Sequence, residues 1–269
     1  MSTSMAGNQH GPEGQRPPGR PLLLAASFIG LVCGFIGIFI GLSLGGLREL
    51  RNTAALRADP VAATLIEKRL GESEGSLLLI GDSRVSQWAP LPEIDGVRAD
   101  AIGVPGLAAT QLSGALGLID PDLHGRTVLV QIGINDLKSI GYSHRTPAEI
   151  MQSTREAITS IHDQLERCGA RVFVMTIIPP GPVPFSRRFI WTDEINQSVR
   201  AINADLVAGA LVPTDSILDL RGLLGDESTI DPRLAHDTLY ISADAYEQLN
   251  PAVIESAKAD PTGAPVGLN

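Results

Sequence analysis

Residues Ser76 to Arg84 read SLLLIGDSR, and the four apolar positions Leu77, Leu78, Leu79 and Ile80 carry no polar alternation. Such a run suits a strand covered on both faces, the situation of strands in a parallel sheet. It ends at Gly81, where the missing side chain lets the backbone turn sharply and carries Asp82 and Ser83 past the carboxyl end of the strand. In an open parallel sheet that edge is where ligands bind. Ser83 is therefore a candidate nucleophile, although the same turn would also serve as a helix cap.

Beyond this run, strand and helix patterns alternate. Strands are expected over 76–80, 97–102, 127–132, 171–178 and 214–219, and helices over 108–119, 147–168, 190–209 and 242–257. Thr146 before Pro147 is a clear helix start. Five strands in a βαβ series predict an α/β domain over 76–258 built on a parallel sheet.

The segments before and after it differ in kind. Residues 1–20 are rich in Gly, Pro and polar side chains and read as a disordered tail, as do 259–269. From Pro21 to Leu47 there is no charged residue. A helix of that length reaches about 40 Å, enough to cross a hydrocarbon layer of about 30 Å. One transmembrane helix is expected there, with the bilayer as partner. Gly30 and Gly34, then Gly37, Gly41 and Gly45, recur at four-residue spacing, which suits close helix approach and a homodimer. Arg16 and Arg20 on one side and Arg48, Arg51 and Arg57 on the other leave its orientation open. Residues 48–75 alternate apolar and charged positions at helical spacing and read as a helical stalk that Pro60 breaks or restarts.

A formal charge of −9 without a basic cluster excludes a nucleic-acid surface. The two cysteines, Cys33 and Cys168, fall in the apolar segment and at a helix end, so neither a disulfide nor a metal site is expected, and no cofactor.

Two further loops share the edge that presents Ser83. Gly103-Val104-Pro105-Gly106 follows the second strand and Gly133-Ile134-Asn135-Asp136 the third. A glycine N–H and an asparagine amide, added to the Ser83 N–H, would form an oxyanion hole for a tetrahedral acyl-transfer intermediate. Taken singly, Gly106 reads as a tight turn and Asn135 as an Asx turn.

Gly81-Asp82-Ser83, Gly106 and Gly133-x-Asn135-Asp136, in this order, resemble the SGNH (GDSL-type) hydrolase family. RVFVMTIIPP at the fourth strand, followed by Ile195-Asn196 and Ile202-Asn203, is similar to it too, so the resemblance spans about 76–257. Val85 in place of a glycine argues against the rival G-x-S-x-G elbow. The resemblance implies a flavodoxin-like sheet with helices on both faces and metal-free hydrolysis or transfer of acyl esters. It assigns Ser83 as nucleophile, with Gly106 and Asn135 as oxyanion donors. Resemblance to anchored relatives also implies a domain outside the cytoplasm.

The last block departs from the family. Relatives carry an aspartate and, three residues on, the catalytic histidine; here Asp237 and Tyr246 keep register but the histidine position holds Tyr240. An imidazole titrating near about 6.5 accepts a serine proton at neutral pH, whereas a phenol near about 10 donates one. His236, next to Asp237, is the alternative base and reads equally as an exposed loop histidine; His144 lies in the loop after Asn135. Three readings follow. One is a membrane-anchored ester hydrolase or acyltransferase on lipid or cell-envelope carbohydrate esters. Another is a degenerate domain that binds an acyl or glycan ligand without turnover, and the third is a structural membrane protein.

Overall fold

A computed structural model describes residues 60–188 and 190–258, together with positions 34–37, 39 and 41, which are helical. The first helix, α1 (Pro60–Glu72), begins at the proline, whose fixed φ suits a first helical position. Ala63, Ile66 and Leu70 fall on one of its faces and are buried with the sheet residues, so this part of the expected stalk is a helix of the domain itself. The other candidate segments upstream, including the transmembrane span over 21–47, and the tail from 259 lie outside the described residues, apart from those few positions. Among the described residues no helix is long and apolar enough to cross a membrane.

The sheet is built on β1 (Leu77–Gly81), every residue of which is buried. It pairs in parallel with β4 (Asp100–Gly103) on one side and β5 (Thr127–Gln131) on the other, Ile80 lying opposite Ile102 and Val130. Outward from β5 come β6 (Arg171–Met175) and β7 (Ile217–Leu218), also parallel, for an order of β4-β1-β5-β6-β7. Numbered within this sheet alone the order is 2-1-3-4-5, the flavodoxin-like arrangement. Its crevice opens at the carboxyl ends of β1 and β5, where the connections diverge to opposite sides.

The strand run is apolar throughout because both faces are covered. Leu78, Ile80, Val128, Val130, Val172 and Val174 project into one core. That side is roofed by α1, α3 (Ala109–Leu116), α5 (Pro147–Arg167) and α6 (Asp193–Val207). Leu77, Leu79, Leu129, Phe173 and Met175 project into the other core, against Ala245, Tyr246, Leu249 and Val253 of α7 (Ala243–Lys258). The α5 start carries a capping box: Glu149 Oε2 accepts the Thr146 N–H at 2.7 Å and Thr146 Oγ1 accepts the Glu149 N–H at 3.3 Å.

Three expected strands are altered. The 97–102 run is divided: β3 (Val97–Arg98) pairs antiparallel with β2 (Glu93–Ile94), and only the following β4 enters the main sheet. The cause is the Asp95-Gly96 dipeptide, both of whose φ angles are positive (52° and 83°), as a tight hairpin turn requires. The 171–178 run leaves the sheet after Met175, because Ile177 gives both its N–H and its carbonyl to the Asn203 side-chain amide, at 2.7 and 2.8 Å. Over 214–219 only Ile217 and Leu218 pair, after a 3₁₀ turn at Thr214–Ser216.

Candidate active site

Gly81 ends β1 against its neighbour so closely that a Cβ there would stand 2.0 Å from the Gln131 carbonyl oxygen. The chain then turns into the short α2 (Ser83–Ser86), capped by Asp82, whose Oδ1 accepts the Arg84 N–H at 2.8 Å. Ser83 is its first residue and is half-buried. Among the described residues neither the Ser83 Oγ nor its N–H has a hydrogen-bond partner.

The loop after β5 enters α4 (Ile134–Lys138) through Gly133, at φ 115°, where a Cβ would also stand 2.8 Å from Ile177 Cδ1. This turn delivers Asn135 beside the β1 loop. Asn135 Nδ2 donates to the Leu107 carbonyl at 3.0 Å and to Asp82 Oδ2 at 3.4 Å, so one amide bridges the residue after Gly106 and the residue before Ser83. Lys138 Nζ donates to Asn135 Oδ1 at 3.0 Å and fixes which way the amide points. Asp136 holds the remaining loop: it accepts the N–H groups of Ala109 and Thr110 and the Thr110 hydroxyl, at 2.6 to 3.2 Å, capping α3 from across the crevice. Ser83, Gly106 and Asn135 are thus gathered at one edge.

The electrostatics centre on Asp82, which is fully buried. Burial pushes its carboxyl up to about 6, against the pull of the Arg84 charge and N–H and of Lys138. Burial likewise raises Asp136.

Arg84 is the residue that sequence reasoning missed. Its guanidinium is buried and donates to the carbonyls of Ile178, Pro179 and Leu239, the last at 2.8 Å. Burial lowers its pKa, opposed by Asp82, Tyr246, Asp237 and Tyr240. The Tyr246 hydroxyl donates to the Arg84 carbonyl at 2.8 Å, and its ring packs on Trp88 with centroids 5.0 Å apart. The signal available beforehand was Tyr246 keeping register, which points to a partner in the first block.

Asp237, Tyr240 and His236 sit on the loop that Arg84 anchors. Asp237 Oδ1 accepts the N–H groups of Leu239 and Tyr240 at 2.7 and 2.9 Å, and Oδ2 pairs with Arg187 at 3.5 Å. Burial would raise its pKa, but those N–H groups and the Arg187 and His236 charges outweigh it, and the carboxyl lies below its ordinary value. His236 is exposed and gives its backbone N–H to the Tyr240 carbonyl at 2.9 Å. Among the described residues no imidazole bonds to Ser83: His124 pairs with Asp122, His162 lies near Asp163 and Glu166, and His144 is exposed. Nor, among them, is any cluster placed to hold a metal.

Compared with solved structures, the chain is similar to a Streptococcus pneumonia protein provisionally named a platelet activating factor. The TM-score is 0.58, with 17% identity, covering 77% of this chain and 96% of that one. A second similar structure is a GDSL-like lipase from Bacteroides thetaiotaomicron, at a TM-score of 0.50 and 14% identity, covering 68% of this chain and 87% of that one. The chain shares their fold. No family model and no curated protein matches it. What is shared is the five-stranded parallel sheet with its helices, whose crevice holds Ser83.

Proposed function

We propose that the protein is a membrane-anchored serine ester hydrolase or acyltransferase of the SGNH type, acting on acyl esters of lipid or cell-envelope carbohydrate. The observation that carries this reading is the Asn135 amide, which draws the Ser83 and Gly106 loops to one point at the switch of the sheet. Ser83 Oγ attacks the ester carbonyl, the Ser83 and Gly106 N–H groups and the Asn135 amide, released from its long 3.4 Å contact with Asp82, meet the developing oxyanion, and the alcohol leaves with a proton. Water or a second alcohol then takes the acyl group from Ser83. The anchor in this reading is the uncharged segment 21–47, with the domain outside the cytoplasm.

A fluorophosphonate probe tests the nucleophile. Labelling of the detergent-solubilised chain, abolished by Ser83→Ala, is expected between pH 6 and 9. Absence of labelling throughout that range removes the nucleophile and with it the hydrolase reading.

A second reading, ligand binding without turnover, is favoured by Asp237. Its carboxylate is held by two backbone N–H groups and Arg187, and Tyr240 holds the sequence position at which the resembling family carries its histidine.

A further inference from the structure

A cavity of about 230 Å³ adjoins the loops after β4 and β5, with Gly106 and Asn135 in its lining. Two cations also line it, Lys138 from the end of α4 and Arg145 from the loop before α5. Lys138 stands at the Asn135 carbonyl, 3.0 Å away. Arg145 directs Nη2 to the Glu149 carbonyl at 2.8 Å and to the Ser153 hydroxyl at 3.0 Å, which holds its guanidinium against the first turn of α5. Both acceptors are uncharged. Among the described residues Nε and Nη1 of Arg145 have no acceptor; the nearby Glu149 carboxylate bonds to Thr146, although its charge is also felt by Arg145.

The carboxylate in the lining, Asp136, is buried and already accepts three hydrogen bonds from Ala109 and Thr110. Its oxygens are thereby engaged by α3. Lys138 and Arg145 thus bring two cations to a hollow that lies beside the proposed oxyanion donors. At about 230 Å³ and open to one side, it has room for a carboxylate or phosphate group.

We propose that this cavity receives an anionic group of the substrate, a carboxylate or phosphate carried close to the ester, and that Arg145 and Lys138 select it. The guanidinium offers a planar pair of donors that matches either oxyanion, and Lys138 adds a point charge. This assignment rests on the reading of Ser83, Gly106 and Asn135 as an acyl-ester site and narrows its substrates to charged esters.

Two pairs of probes test it by calorimetry on the full-length chain in neutral detergent, using Ser83→Ala so that binding is read without turnover. Monomethyl succinate against methyl butyrate places the charge on the acyl side; 2-acetoxyethyl phosphate against ethylene glycol monoacetate places it on the alcohol side. The charged member of one pair should bind about ten-fold tighter, the scale of one charge-assisted hydrogen bond. Arg145→Gln and Lys138→Met should each erase most of that preference. Equal affinity within both pairs overturns the proposal, and so does a preference that survives both substitutions. Loss of fluorophosphonate labelling with the preference intact removes the hydrolase reading and leaves the anion site; labelling without the preference does the reverse.

Discussion

The Arg84 side chain donates to the main-chain carbonyl of Leu239 at 2.8 Å, joining two residues 155 positions apart in the chain. One is the neighbour of Ser83; the other lies between Asp237 and Tyr240. With the carbonyls of Ile178 and Pro179 on the same guanidinium, a single buried cation sets the Ser83 loop, the segment after β6 and the 237–240 loop against one another.

Removing that cation strands three carbonyls, those of Ile178 and Pro179 buried and that of Leu239 partly so. Arg84→Met should cost about 3–5 kcal/mol, the scale seen when one partner of a buried charged network is deleted. Arg84→Lys should recover less than half of it, because an ammonium cannot span acceptors arranged around a planar fork. Urea denaturation measures both, and a wild-type midpoint for Arg84→Met would refute the role.

Asp82 makes stability depend on pH in a definite direction. Its carboxyl titrates at about 6 in the fold against an ordinary 3.8, so the folded chain binds this proton more tightly than the unfolded chain does. The stability it contributes is fully present below pH 3.8 and is lost as pH rises through about 6. Over that interval the loss is about 3 kcal/mol. Asp82→Asn removes the titration. The stability of wild type minus variant should therefore fall by up to that amount from pH 4 to pH 7. Urea midpoints at the two pH values measure it, and a constant difference would contradict the assignment.

Gly81→Ala forces a Cβ to within 2.0 Å of the Gln131 carbonyl oxygen and 2.8 Å of Val85 Cγ2. Since backbone must move, the cost should reach about 3 kcal/mol, and the displaced α2 should slow fluorophosphonate labelling of Ser83. A variant with wild-type stability and labelling would show that the close approach of β1 and β5 is not what positions the serine.

Tyr240→His separates an enzyme that lacks its base from one that keeps it elsewhere. An imidazole at 240 needs an acceptor for its second N–H, and Asp237 Oδ2 is open to exchange because its Arg187 pair is long and partly exposed. Hydrolysis of a short acetate ester should rise by about 10² or more in kcat/KM, within the range of general-base catalysis. If His236 is the base instead, Tyr240→His changes little and His236→Ala costs about 10³. Inertness of every variant while Ser83 still accepts the probe would favour binding without turnover.

Much of this protein is set by local pattern. Unbroken apolar runs bounded by glycine specify buried parallel strands, the 3.6-residue spacing of Ile150, Ala157, Ile158, Ile161 and Leu165 specifies the buried face of α5, and Thr146-Pro147 specifies its start. Because the ends of β1, β4 and β5 are marked by Gly81, Gly103 and Gly133, the meeting of Ser83, Gly106 and Asn135 at one edge is also readable from order alone. Even the hairpin that divides 97–102 is written as Asp95-Gly96. Tertiary structure decided the rest. An arginine after a serine reads as a solvated charge, and only the carbonyls of Ile178, Pro179 and Leu239, brought from distant segments, make burial of Arg84 affordable. Asp237 and Tyr240 keep their spacing in sequence whichever way the carboxylate points; its capture by two backbone N–H groups and Arg187 is a property of the folded loop. Periodicity records which side chains leave water, whereas hydrogen bonds between segments far apart in the chain exist only once the sheet has brought those segments together.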